Sequence, residues 1–282
     1  LFITINYGLR RDVSISEETK EKSITDLLLD WGDNQDSEKE QLDIFDGKKL
    51  FNYAKPVKLL FNLCKSCTSN EDVILDFFSG SASTAHAVMK LNTEDGASRQ
   101  FIMVQLPELT ANKSEAFKSG FKTICDIGEE RIRRAGKKIK EKTSADIDYG
   151  FRCFKVDSSN MEDVYYKPSE VKQAEIDLFA DNIKADRTPE DLLIQVMLDL
   201  GVLLSSKVEK TQIAGKHVFS VADGYLIACF DDEVTEEVVT AIAKKKPFYA
   251  VFRDSSMADD SVAANFEQIF ATYSPQTVRK VL

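Results

Sequence analysis

Hydrophobic positions in the first half of the chain form short continuous runs separated by stretches with helical spacing. Asp72–Phe78 is an almost wholly apolar run, which predicts a strand buried on both faces of a parallel sheet. Small residues follow it, then a helical pattern that ends near Asn92 and a second apolar run, Phe101–Leu106. This order of strand, tight turn, helix and strand predicts a βαβ unit.

Helical patterns also flank this unit. Pro56 suits a first helical turn, and apolar residues at helical spacing predict a helix over Lys55–Cys67. Two further helices are predicted at Ser114–Ser119 and Ile127–Lys142. Upstream, Asp12–Asp46 is acidic and is interpreted as a connector that holds one short helix, Ile24–Trp31, capped by Ser23.

The second half carries a different set of elements. Phe151–Ser159 is expected to be extended, and the remaining pattern alternates helices with strands, which predicts a smaller, mostly parallel α/β unit. The predicted helices are Pro189–Gly201, Thr235–Lys244 and Ser261–Ala271, and the predicted strands are His217–Val221, Tyr225–Phe230, Phe248–Phe252 and Thr277–Leu282.

These patterns divide the chain into four expected parts. They are a connector over residues 1–47, an α/β core over 48–150, a linker over 151–189 and an acidic α/β interaction domain over 190–282. Because Leu1 begins in the middle of an apolar pattern, we expect the chain to be a piece of a longer protein.

Composition narrows the class of protein. With 37 basic and 47 acidic side chains, a net charge of −10 and 43% hydrophobic residues, the chain is not a disulfide miniprotein, a collagen or a disordered chain. Five scattered cysteines favour reduced thiols and a cytoplasmic protein. No apolar stretch approaches the roughly 18 residues of a membrane span, so no membrane partner is expected.

The basic residues cluster in one predicted helix. Arg131, Arg134 and Lys138 lie in this stretch and are candidates for contacts to nucleic-acid phosphates. A helix face that is simply solvated explains the same charges equally well.

The turn after the first strand is the best candidate for a ligand site. An acidic residue at the end of a buried strand, followed by Gly80 and Ser81 before a helix, brings backbone N–H groups towards a nucleotide-like cofactor. Gly80 is the only glycine in this turn, so the three-glycine dinucleotide fingerprint is not met. A turn packed for structural reasons alone is the alternative.

Two motifs in this region resemble those of a known family. Asp76–Thr84 resembles the Asp-x-Phe-x-Gly-Ser-Gly-Thr-Thr cofactor motif of amino-DNA methyltransferases, and Lys55-Pro56-x-x-Leu59-Leu60 resembles the Lys-Pro helix motif that precedes it in the β-group. Together with the downstream sequence as far as Asn160, these motifs resemble the adenine-specific Mod (methylation) subunit of type III restriction-modification systems. The resemblance implies that the core over residues 48–150 contains a partial Rossmann-like methyltransferase sheet and binds S-adenosylmethionine.

The resemblance also implies roles for individual residues. Gln105 stands where relatives often place an acid for the ribose hydroxyls, so either Gln105 or Glu108 would contact them, and Ala82 replaces the second glycine of the motif. The residues implied around the cofactor are Lys55, Pro56, Asp76, Phe77, Phe78, Gly80, Ser81, Ser83, Gln105 and Glu108.

The catalytic loop of the family, Asp/Asn-Pro-Pro-Tyr/Phe, is absent, since none of the six prolines is adjacent to another. The chain therefore resembles the C-terminal portion of a Mod subunit, and alone it is expected not to methylate DNA. The implied partners are duplex DNA, a restriction (Res) subunit and a second Mod chain.

The sequence admits other interpretations of single residues and of the whole chain. Cys64 and Cys67 form a lone Cys-x-x-Cys, for which burial is favoured over metal binding, and His86 is expected to be a packed helix residue. The rival functions are a degenerate methyltransferase fold kept for assembly, without cofactor binding, and an unrelated α/β enzyme that prefers NAD or ATP.

Overall fold

The computed structural model describes residues 30–162, 183–253, 257 and 260–282. The chain divides into two compact units, Leu1–Cys153 and Phe154–Leu282. The helix predicted at Ile24–Trp31 lies outside the described residues except for its last two positions. No helix in the described ranges is both long and apolar enough to cross a membrane.

The first unit contains a two-stranded parallel sheet and five helices among its described residues. Strands β1 and β2 pair in parallel, with Leu75 opposite Ile102. Since helix α3 connects them, the predicted βαβ unit is confirmed. The elements are α1 (Asn34–Ile44), α2 (Val57–Cys67), β1 (Val73–Phe77), α3 (Ser83–Asp95), β2 (Gln100–Val104), α4 (Glu115–Lys118) and α5 (Ile124–Thr143).

Side-chain caps set where several of these helices begin. Thr123 accepts the Asp126 N–H in a capping box that starts α5, three residues before its predicted start. Asp33 starts α1 in the same way. Helix α1 was not predicted, because Asn34–Ile44 is strongly polar and was interpreted as part of an acidic connector. Its residues Gln41 and Ile44 are buried only through tertiary packing.

The two faces of the β1–β2 sheet differ in burial. Ile74 is 4% exposed and packs against α2 and α3, whereas Val73, Leu75 and Phe77 on the opposite face are 41–54% exposed. The prediction that β1 is buried on both faces is therefore wrong. The strand forms as predicted, but the described helices of this unit cover only the Ile74 face.

The second unit is built around a five-stranded sheet in the order β3-β4-β5-β6-β7. Pairs β5–β6 and β6–β7 are parallel, while β3–β4 and β4–β5 are antiparallel. The sheet is thus mixed rather than mostly parallel. The elements are α6 (Pro189–Asp199), β3 (Val208–Ile213), β4 (Lys216–Val221), β5 (Leu226–Cys229), α7 (Glu236–Lys244), β6 (Tyr249–Phe252), α8 (Asp260–Tyr273) and β7 (Val278–Val281).

Strand β3 was missed because its residues are mostly polar and solvent-exposed. It pairs with β4 through the two-residue turn Ala214-Gly215, in which both residues have positive φ, 47° and 81°. Helices α7 and α8 pack on one side of this sheet and α6 on the other. Together they bury the central strand β5 at every position.

Candidate functional site

The turn between β1 and α3 contains three residues in the left-handed region. Phe78, Gly80 and Ala82 have φ of 60°, 55° and 58°. Only glycine adopts this conformation without a steric cost, so Phe78 and Ala82 are held there by their surroundings. Turns of this kind, strained by neighbouring structure, cluster at ligand sites.

Asp76 is anchored to the first turn of α3. The residue is 9% exposed, and its Oδ2 accepts a hydrogen bond from Thr84 Oγ1 at 2.5 Å. The end of β1 and the start of α3 are thereby tied together across the turn.

The N-terminus of α3 has no side-chain cap. Ala82 is the N-cap residue and offers no acceptor to the first amides of the helix. The hydroxyl oxygen of Ser83 is buried without a hydrogen-bond partner. Uncapped amides at a helix N-terminus, next to an unpaired buried hydroxyl, suit a carboxylate or another anionic group of a ligand.

Gln105, the residue that follows β2, is hydrogen-bonded to the turn. Its Oε1 accepts the Gly80 N–H at 2.7 Å, and its Nε2 donates to the Leu106 carbonyl at 3.2 Å. The side chain predicted to contact a ribose is therefore bonded to the turn itself. Glu108, the alternative acid, is exposed.

The Lys-Pro segment lies at the start of α2. Pro56 is buried as the N-cap residue of this helix, whereas Lys55 is exposed. Phe51, a few residues upstream, packs over the turn so closely that a Cβ added at Gly80 would lie 3.1 Å from its ring. The structure thus brings the chain just before the Lys-Pro segment against the Asp76–Ser83 turn.

The remaining predicted residues of the turn differ in exposure. Ser81 is buried, and Phe78, at 71% exposure, presents its ring to solvent. Phe77 is on the uncovered face of β1 at 42% exposure. Both side chains are therefore accessible to solvent beside the turn.

Arg131 corrects one prediction from the sequence. Its side chain is 0% exposed, so it offers no surface to a nucleic-acid phosphate. Arg134 pairs with Asp46 and Glu130, each at 2.6 Å, and Lys138 pairs with Asp43 at 2.9 Å. The two remaining candidates for phosphate contact are thus already matched with carboxylates.

Two other buried titratable groups are held in their neutral forms. Burial, reinforced by the positive charge of Arg131, lowers the pKa of His86 to about 3, so this side chain is neutral at pH 7. Burial raises the pKa of Cys64 to about 11, which keeps it a thiol. Within the described residues, no group of three or more His, Cys, Asp and Glu side chains could hold a metal ion.

Two contributors to this site were missed from the sequence. Phe51 carries no motif that marks it, and Glu40 lies in the acidic run interpreted as a connector, yet both of its oxygens accept the Val57 N–H. Only the placement of α1 beside α2 shows this contact.

Comparison with known proteins shows what these features are similar to. Residues 4–138 match the family model described as DNA methylase. The chain is also similar to three Mod subunits of type III restriction-modification enzymes.

The Mod subunit of StyLTI from Salmonella typhimurium is 37% identical over 151 residues, which covers 53% of this chain and 23% of that protein. The Mod subunit of EcoP15I from Escherichia coli is 34% identical over 223 residues, 77% of this chain and 32% of that protein. The Mod subunit of EcoPI from Escherichia phage P1 is 30% identical over 202 residues, 71% of this chain and 30% of that protein.

The chain thus spans between 23% and 32% of the length of these relatives. The matched residues 4–138 contain the whole candidate site, from the Lys-Pro segment through the Asp76–Ser83 turn to Glu108. The chain is therefore Mod-like: residues 4–138 match the DNA methylase model, and the chain is similar to Mod subunits of type III restriction-modification enzymes.

Proposed function

We propose that this chain is the S-adenosylmethionine-binding part of a site-specific DNA adenine-N6 methyltransferase, and that β1, α3 and β2 belong to a Rossmann-like sheet. The observation that carries the proposal is the turn from Asp76 to Ser83. It combines three left-handed residues, an uncapped helix N-terminus and a buried hydroxyl without a partner.

The residues of this turn fit an amino-acid cofactor. The first amides of α3 and the Ser83 hydroxyl would hold its carboxylate. Asp76 and the Gly80-Ser81 backbone, with Lys55 and Pro56, would surround the methionine part, and the exposed rings of Phe77 and Phe78 would shield it from water. Bound S-adenosylmethionine supplies the methyl group that is transferred.

Holding the adenine is a separate task from binding the cofactor. The Asp/Asn-Pro-Pro-Tyr/Phe element that contacts a flipped adenine cannot be written from this sequence, in which no two prolines are adjacent. The proposal therefore assigns cofactor binding to this chain and places no base-contacting residue in it.

The relatives also suggest partners. They are Mod subunits of restriction-modification enzymes. We accordingly propose a cytoplasmic protein that acts on duplex DNA with a restriction subunit and a second Mod chain, with residues 190–282 as the interaction domain. Arg134 and Lys138 would contact DNA only by exchanging their carboxylate partners for phosphates.

Calorimetric titration with S-adenosylmethionine and its demethylated product tests the cofactor. We expect binding in the micromolar to sub-millimolar range, about −8 to −5 kcal/mol. Asp76→Ala should abolish it, because the variant unties β1 from α3. Asp72→Ala is the matched control, since Asp72 lies just before the same strand and caps only the Ser69 N–H.

NAD and ATP are titrated in parallel. Tighter binding of either would favour an unrelated nucleotide-binding enzyme and would contradict the proposal. If neither this chain nor the longer protein that contains it binds S-adenosylmethionine, the assembly role without cofactor is the better account.

A further inference from the structure

Arg131 lies directly beneath the turn that we assign to the cofactor. Its Nη1 donates to Ser81 Oγ at 3.0 Å, and the whole side chain is buried. One helical turn earlier on α5, Gly128 approaches so closely that an added Cβ would lie 3.3 Å from the Gly80 carbonyl oxygen. Helix α5 therefore supports the turn through a short residue and a long one on the same face.

Glu40 connects this support to the Lys-Pro segment. Its two oxygens accept the Val57 N–H, at 3.1 and 2.9 Å, at the first residue of α2. Its Oε2 also lies 3.7 Å from Arg131 Nη2. One carboxylate and one guanidinium thus join the start of α2 to Ser81, two regions far apart in sequence.

Stability alone does not explain why Arg131 and Glu40 are placed in this way. Nε and Nη2 of Arg131 have no hydrogen-bond partner, and burying an ion pair that is imperfectly paired usually costs more than apolar packing of similar volume. A long, rigid guanidinium does, however, fix the position of the hydroxyl it bonds.

We propose that Arg131 is a positioning residue for cofactor binding: with Glu40, it holds Ser81 and the Asp76–Ser83 turn in place relative to the Lys-Pro segment. The inference rests on the proposed function, because it names residues that act behind the same site. Arg131 does not itself touch the ligand; it acts through Ser81.

Three variants on α5 test the proposal in the full chain. Arg131→Met removes the charge at similar volume, Arg131→Lys keeps the charge, and Arg133→Met is the matched control on the exposed side of the same helix. We expect Arg131→Met to weaken S-adenosylmethionine binding about tenfold or more, since small displacements of positioned groups have effects of this size. Arg131→Lys should recover part of the loss, and Arg133→Met should bind as wild type.

Hydrogen exchange supplies a readout that needs no ligand. The amides of Ser79, Gly80 and Ala82 are hydrogen-bonded in the turn, and strands β4 to β6 serve as the internal reference. Arg131→Met should speed exchange in the turn and leave the reference strands unchanged. Unchanged exchange in the turn, or unchanged binding by folded Arg131→Met, would overturn the proposal.

Glu40→Gln covers the case in which Arg131→Met does not fold. The amide keeps an acceptor for the Val57 N–H but removes the charge that faces Arg131. We expect weaker binding and faster exchange in the turn, and, if the double variant folds, a combined loss smaller than the sum of the single losses, because both changes break one chain of contacts. Wild-type affinity and exchange in Glu40→Gln would count against the proposal.

The two readouts separate the two hypotheses. If wild type does not bind S-adenosylmethionine, the proposed function fails, while the exchange experiment still decides whether Arg131 holds the turn. If wild type binds and Arg131→Met binds equally well, the proposed function stands and the role of Arg131 fails.

Discussion

Strand β1 in the first unit and strand β5 in the second have similar apolar sequences but different surroundings. All four residues of β5 are at most 1% exposed, whereas β1 alternates between buried and exposed positions. The second unit places helices on both sides of its sheet, and the described part of the first unit places them on one side. An apolar run therefore specifies a strand, but neighbouring elements decide how many of its faces are buried.

The two units also differ in what they bury. In the described residues of the first unit, Asp76, Arg99 and Arg131 are among the buried polar groups, whereas those of the second unit are only Ser274 and Thr277. Buried ionisable side chains cost stability unless they are paired, and in some proteins they fix the position of neighbouring groups. The first unit thus carries the candidate site, and the second has a core built for packing.

The largest expected effect is on the free energy of unfolding, when the same Leu→Ala substitution is made in each of the two sheets. Leu226→Ala in β5 should lower the free energy of unfolding by about 2–5 kcal/mol, because it leaves a cavity in a closed core. Leu75→Ala in β1 should cost about 1 kcal/mol or less, since this side chain is 41% exposed. Denaturant titration followed by circular dichroism measures the loss in Leu226→Ala.

Unfolding of Leu75→Ala is followed by tryptophan fluorescence, because the single tryptophan, Trp31, lies in the first unit. Equal losses at Leu75 and Leu226 would show that the outer face of β1 is covered in solution, and the contrast between the two sheets would disappear.

The pH dependence of stability sharpens the contrast in buried charge. The lowered pKa of His86, about 3, means that the unfolded chain binds a proton below about pH 6.5 and the folded chain does not. The free energy of unfolding of the first unit should therefore fall as the pH is lowered through this range, by at most about 1.4 kcal/mol per pH unit from this group.

His86→Gln should flatten that dependence between pH 6.5 and 4, as followed by Trp31 fluorescence. His217→Gln is the control, because it leaves the buried histidine in place. A pH profile for His86→Gln that is as steep as wild type would rule out this residue as the source.

The smallest expected effect is on the stability of two variants, each of which replaces an alanine in the left-handed region by glycine. Ala214→Gly, in the exposed β3–β4 turn, should stabilise the second unit by up to about 1 kcal/mol, because glycine relieves the strain without lost packing. At Ala82, glycine relieves the same strain but removes a methyl group that is 2% exposed, worth about 0.8 kcal/mol.

Ala82→Gly should therefore change the free energy of unfolding by no more than about 0.5 kcal/mol, because the two terms offset each other. Thermal unfolding of both variants measures the difference. A clear gain in stability at Ala82 would mean that its methyl group contributes little to packing against α5.

Much of this protein could be predicted from its sequence because the signals are local. Apolar runs followed by small residues predict β1, α3 and β2, Pro56 and Pro189 mark the starts of α2 and α6, and the Asp76–Thr84 motif locates the candidate turn. Each signal depends on residues within one element or one turn, where backbone preference and hydrophobic period are read directly.

Only the tertiary structure decided the rest, because it depends on contacts between residues far apart in the chain. Polar segments such as α1 and β3 form where neighbouring elements pack or pair with them, and the outer face of β1 is exposed because no described helix of its unit covers it. Arg131 illustrates the same physics: its sequence neighbours suggest a basic surface, yet its contacts with Ser81 and Glu40 place it in the interior.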